Sequence, residues 1–152
     1  VIKCDQDNRV VRFPGMNGIY SGYHGSGNQI KILPSDFTTD KTKGLAFDVA
    51  SGGIKLGDAT GTMYATVQIP DGFKATAATI YGSDTGINYT VSRSDINSGA
   101  ASVIGASTAI GTECSFGSSL DASTTNFLFF TIPLDHTTDI VYGGEVTIAH
   151  IT

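Results

Sequence analysis

Apolar and polar residues alternate along this chain in short bursts, and no stretch repeats at the i, i+3, i+4, i+7 spacing of an amphipathic helix. The clearest burst begins at Tyr64, where Ala65, Val67 and Ile69 alternate with Thr66 and Gln68. Pro70-Asp71-Gly72 interrupts it, and a second burst runs from Lys74 to Tyr81. Proline presets φ for a turn, aspartate bonds its own backbone, and glycine takes positive φ without a Cβ clash. The unit therefore predicts a β-hairpin. Further strands are predicted at Gln29–Leu33, Gly44–Val49, Asn88–Ser92, Ala101–Ile104, Glu113–Phe116, Asn126–Ile132, Ile140–Tyr142 and Glu145–Ile151. Tyr142-Gly143-Gly144-Glu145 predicts a tight two-residue turn between the last two, and the Gly-rich stretch Ser51–Gly61 predicts a long loop.

Many short strands separated by turn residues, with scarcely any helix, predict an all-β fold: a two-sheet antiparallel sandwich, jelly-roll-like. The chain has no Trp, so the buried-Trp signature of antibody domains is missing. Residues 1–28 are rich in Gly, Asn and Tyr with little periodicity and read as an extended N-terminal arm, leaving 29–152 as the sandwich domain. At 152 residues the chain fits one domain, which buries roughly 70% of the unfolded chain's surface.

Asn126-Phe127-Leu128-Phe129-Phe130-Thr131-Ile132 breaks the alternation. Phe127 and Phe129 fall on one face of the strand, and Leu128, Phe130 and Ile132 on the other. An antiparallel sandwich leaves one face of each sheet wet, so a strand apolar on both sides calls for a cover. The arm supplies one candidate and a neighbouring subunit another. The candidate interface is accordingly Val10, Val11, Phe13, Tyr20 and Tyr23 of the arm with Phe127, Leu128, Phe129 and Phe130.

Charge narrows the partners. The net charge is -5 and the nine Lys and Arg are scattered, which argues against nucleic acid, whose binding draws on clustered positive charge. No stretch approaches the ~20 apolar residues of a membrane helix. Cys4 and Cys114 are the two cysteines. A bridge between them would close a loop worth nominally ~4 to 5 kcal/mol, but so sparse a pair reads as two buried thiols. Val1 in place of Met reads as a processed or trimmed start.

Catalytic chemistry finds little support. His24 lies near Ser26 without a nucleophile elbow, His136 sits between Asp135 and Asp139 on a polar turn, and His150 reads as a surface residue on a strand. Glu113 and Glu145 are the two glutamates, and Asp71, Asp84 and Asp121 stand in turn contexts, which leaves no obvious acid pair for glycoside hydrolysis. Asp5-Gln6-Asp7-Asn8 lacks the Gly and Glu of a calcium loop. The chain reads as a non-enzyme without cofactor or metal.

Ile30-Lys31-Ile32-Leu33-Pro34-Ser35-Asp36-Phe37, Ile69-Pro70-Asp71-Gly72-Phe73-Lys74-Ala75-Thr76, Ile80-Tyr81-Gly82-Ser83 and Ile140-Val141-Tyr142-Gly143-Gly144 together resemble small proteins encoded among the virion genes of marine tailed phages, including cyanophages. The resemblance covers residues 24–151 as a pattern of short phrases without a catalytic motif. It implies a virion localisation on the capsid surface and a decoration, or cement, protein whose partner is the major capsid protein. It also implies a homo-oligomer, with a trimer at local threefold positions favoured. Two other readings compete. One is a glycan- or receptor-binding β-sandwich module of a tail fibre or surface structure, for which Tyr20, Tyr23 and Tyr64 are available aromatics. The other is a self-assembling fibre subunit.

Overall fold

The computed structural model describes residues 28–151 with their side chains, apart from residues 43 and 59, and the backbone of three short strands before them. Those three are β1 (Lys3–Asp5), β2 (Val10–Arg12) and β3 (Gly25–Ser26). The chain continues through β4 (Gln29–Ile32), a 3-10 turn at Pro34–Asp36, β5 (Phe37–Thr39), β6 (Leu45–Asp48), β7 (Gly53–Leu56) and β8 (Gly61–Val67). It ends with β9 (Phe73–Gly82), β10 (Asn88–Asp95), β11 (Ala101–Ala109), β12 (Cys114–Asp121), β13 (Asn126–Leu134) and β14 (Val141–His150).

Two antiparallel sheets form a β-sandwich. One has five strands in the order β11-β10-β13-β8-β5. The other has seven: β12-β9-β14-β4-β3 in order, with β7 on β14 and β6 on β7. β1 and β2 pair with each other in a separate ladder, Cys4 opposite Val11. Alternation decides what enters the core. Met63, Ala65, Val67 and Ile69 are buried, whereas Tyr64, Thr66 and Gln68 reach the surface. From β13, Leu128, Phe130 and Ile132 are fully buried and pack in one cluster with Ile80 of β9 and Val146 of β14. Each such large apolar side chain contributes about 1.5 to 3 kcal/mol on burial.

Several local expectations are corrected. The unit from Tyr64 to Tyr81 is no hairpin: β8 pairs with β13 and β5, and β9 pairs with β12 and β14. Pro70-Asp71-Gly72 instead carries the chain from one sheet to the other, with Gly72 at φ 81° and Phe73 N donating to Pro70 O at 3.1 Å. Consecutive strands from β8 to β14 cross between the sheets at every connection but β10 to β11, the wrapping that makes the sandwich jelly-roll-like.

The turn expected at Tyr142–Glu145 is likewise absent. β14 runs through it, and the register shifts between Val141 and Gly143, where Gly143 takes φ 132°. The two glycines mark a bulge, a common reason for Gly inside a strand. Within the stretch expected to be loop, Gly53–Leu56 forms β7, whose Ile54 and Leu56 are buried. Cys114 is a buried free thiol on β12. The side chain of Cys4 lies outside the described residues.

Candidate functional site

The two outer faces of the sandwich differ in chemistry. On the seven-stranded sheet, register sets Lys31 opposite Glu145 and Lys74 opposite Asp121, and Glu145 accepts a 2.9 Å hydrogen bond from the Tyr81 hydroxyl. That bond raises the Tyr81 pKa, since the carboxylate holds the phenolic proton. Charged residues placed opposite one another suit a face turned to water.

The five-stranded sheet presents something else. One cross-strand row reads Val103, Ser92, Phe129, Thr66, and the next reads Thr90, Thr131, Tyr64, Thr38. Phe127 stands opposite Ser94 at the end of β13. No charge occurs among these positions. Tyr64 stacks on Phe129 with ring centroids 5.5 Å apart and planes 15° from parallel, which joins β8 to β13 diagonally. Phe127 and Phe129 are half-buried, and Val103 is mostly exposed.

Of the candidate interface residues, Phe127 and Phe129 lie on this face. Leu128 and Phe130 do not: both are fully buried between the sheets, because a strand sends its alternate side chains inward, and they present no surface to a partner. Val10 and Val11 lie on β2, but their side chains are outside the described residues. Phe13, Tyr20 and Tyr23 are outside them altogether, as is His24.

A second cluster joins loops far apart in sequence. Ser83 N donates to Ile140 O at 2.8 Å and Ile140 N donates to Ser83 Oγ at 2.9 Å, tying the β9–β10 loop to the β13–β14 loop. Asp84, Asp135 and Asp139 thereby bring carboxylate oxygens within 4.8 Å of one another. Sequence set Asp135 and Asp139 beside His136 on one polar turn, but it offered no sign that Asp84 joins them. Turn chemistry accounts for two of the three: Gly86 N donates to Asp84 Oδ1 at 2.7 Å, and His136 N donates to Asp139 Oδ2 at 2.8 Å. Three carboxylates fall short of the about six to eight oxygen ligands that calcium takes.

His136 is exposed, and its backbone serves that loop. The His150 ring lies over Phe73 at 4.3 Å. No protein-family model matches the chain, and no curated protein matches it either.

Proposed function

We propose that the chain is a virion structural protein of the capsid decoration, or cement, kind, stabilising a shell by bridging neighbouring major capsid protein subunits. The observation that carries this reading is the contrast between the outer faces: one bears charges in opposed register, and the other is uncharged and carries Phe127, Phe129, Tyr64 and Val103. Interfaces deplete charge at their centre and enrich aromatics, so the five-stranded face fits a seam between proteins. The sequence phrases that resemble those of marine phage virion proteins supply the setting. The test is co-sedimentation with undecorated capsids of such a phage. The folded chain is expected to sediment stoichiometrically, and Phe127→Asp is expected to release it. A well-folded chain that stays in the supernatant would overturn the reading.

A second reading rests on the same face. Aromatic rings among Ser and Thr hydroxyls are also the chemistry that holds uncharged glycans. Glycan-array binding that is lost with Tyr64→Ala, together with failure to bind capsids, would favour a receptor-binding module instead.

A further inference from the structure

The core layer of the seven-stranded sheet runs outward through one cross-strand row: Val141 stands opposite Ile54, and Ile54 opposite Phe47. Burial stops abruptly along it. Val141 and Ile54 are 0% and 1% exposed, and Phe47 is 64% exposed. Leu45, on the same face of β6 opposite Leu56, still packs against the core. Val49, just past the strand, is 95% exposed. The hairpin of β6 and β7 therefore carries the apolar layer past the opposing sheet. Among the described residues β6 pairs with β7 alone, so its other edge also offers unpaired backbone groups. An apolar edge of this kind is a template for another strand.

We propose that β6 pairs with β6 of a second copy of this chain, antiparallel about a two-fold axis through Phe47. Backbone pairing requires a strand as the occupant, and the side chains select the same strand. In this register Phe47 stands against Phe47 of the second copy, and Leu45 comes toward Val49 in the turn that follows the strand, so apolar residues meet at the seam. On the other face Asp48 comes opposite Ala46, which keeps the two carboxylates apart. Asp48 is in any case engaged at home: it accepts from Ser51 N and Ser51 Oγ at 3.0 and 2.7 Å and pairs with Lys55 at 3.4 Å. A two-fold contact closes on itself and stops at two copies. This inference does not depend on the capsid reading.

The experiment is sedimentation equilibrium of the full chain over rising concentration, with two variants. The wild-type mass is expected to climb toward two chains, and Phe47→Lys is expected to weaken association at least about tenfold, with an unchanged thermal midpoint when both proteins are dilute enough to be single chains. Directly opposed residues in an antiparallel pair lie about 4.5 to 5.5 Å apart at Cα, within disulfide range. Phe47→Cys in a Cys4→Ser background is therefore expected to cross-link into dimers under mild oxidation, and Lys55→Cys is expected not to. A wild-type chain that stays single up to about 1 mM overturns the proposal, as does a mass that grows beyond two. So does a Phe47→Lys variant that associates like the wild type. A monomeric wild type whose thermal midpoint falls on Phe47→Lys would show that the chain's own N-terminal segment covers the edge, and would also overturn it.

Discussion

The hydroxyl of Tyr89, on β10 of one sheet, reaches across the core to within 2.8 Å of the Ala78 carbonyl on β9 of the other. It lies equally close to the Thr112 carbonyl, in the turn that carries β11 to β12. Tyr89 is fully buried, and its pKa is pushed far up, chiefly by that burial. The phenol is thus neutral and a donor at neutral pH. Tyr89→Phe keeps the ring and removes only the donor. It is expected to destabilise the chain by about 1 to 3 kcal/mol, the cost of stranding a buried hydrogen-bonding group, with an unchanged denaturant slope. An unfolding midpoint in urea equal to wild type would show that water or another donor replaces the hydroxyl.

Gly105 and Cys114 form a second contact between the sheets' edges. A Cβ at Gly105 would collide with Cys114 Sγ and come within 3.2 Å of the Phe116 ring. Gly105→Ala is therefore expected to cost about 1 to 3 kcal/mol by overpacking. Cys114→Ala opens the same space, so the double variant is expected to lose less than the sum of the single losses. Thermal or chemical denaturation of the four proteins measures that coupling. Strict additivity would mean that the alanine is accommodated elsewhere.

The alternation itself was legible in the sequence: Ala65 and Val67 share one face of β8, with Ile69 buried just past its end, and Leu128, Phe130 and Ile132 share one face of β13. Which face of β13 turns inward was not, and Leu128 and Phe130 stood among the interface candidates. Which strands pair was not legible. Pro70-Asp71-Gly72 has the chemistry of a turn whether the next strand returns beside the first or crosses to the other sheet, and only the packing of β8 on β13 and β9 on β14 decides between them. β7 was missed because the glycines around Ile54 and Leu56 obscure so short an alternation. The uncharged face needed four strands in register before Ser92, Phe129, Thr66 and Val103 were seen as neighbours. The Asp84, Asp135 and Asp139 cluster depends on a contact between loops that no local pattern encodes.

Gly143 shows how a turn signal can serve a bulge. Its φ of 132° disfavours any side chain, and a Cβ there would lie 2.6 Å from the Ile32 carbonyl oxygen on the neighbouring strand. Gly143→Ala is expected to destabilise by about 1 to 3 kcal/mol through backbone strain and crowding. Gly117, on β12, has open space where its Cβ would be. Gly117→Ala is expected to be neutral or to stabilise by about 0.4 to 1 kcal/mol, because it narrows the unfolded ensemble. Thermal midpoints that move the same way for both would contradict this account of the bulge.

Asp95 couples stability to acid through four hydrogen bonds. Its Oδ1 accepts from Asn97 N, Ser98 N and Ser98 Oγ at 2.9, 3.0 and 3.2 Å, which closes the β10–β11 turn. Its Oδ2 accepts from Thr125 Oγ1 at 2.9 Å, which fastens that turn to the segment leading into β13. These bonds favour the carboxylate, the Thr125 hydroxyl most of all, and hold the Asp95 pKa below its ordinary value. Asp48 is lowered in the same sense, first by the Ser51 hydroxyl. The unfolded chain therefore takes up protons on these groups at a higher pH than the folded one. The stabilisation is complete above the ordinary aspartate value of about 4 and is lost as pH falls through the lower folded values. Thermal midpoints measured downward from neutral pH are expected to hold steady and then drop below about pH 4. Asp95→Asn is expected to lower the midpoint at neutral pH and flatten that drop, because it removes one of the titrating groups. An equally steep drop in the variant would assign the acid sensitivity to other carboxylates.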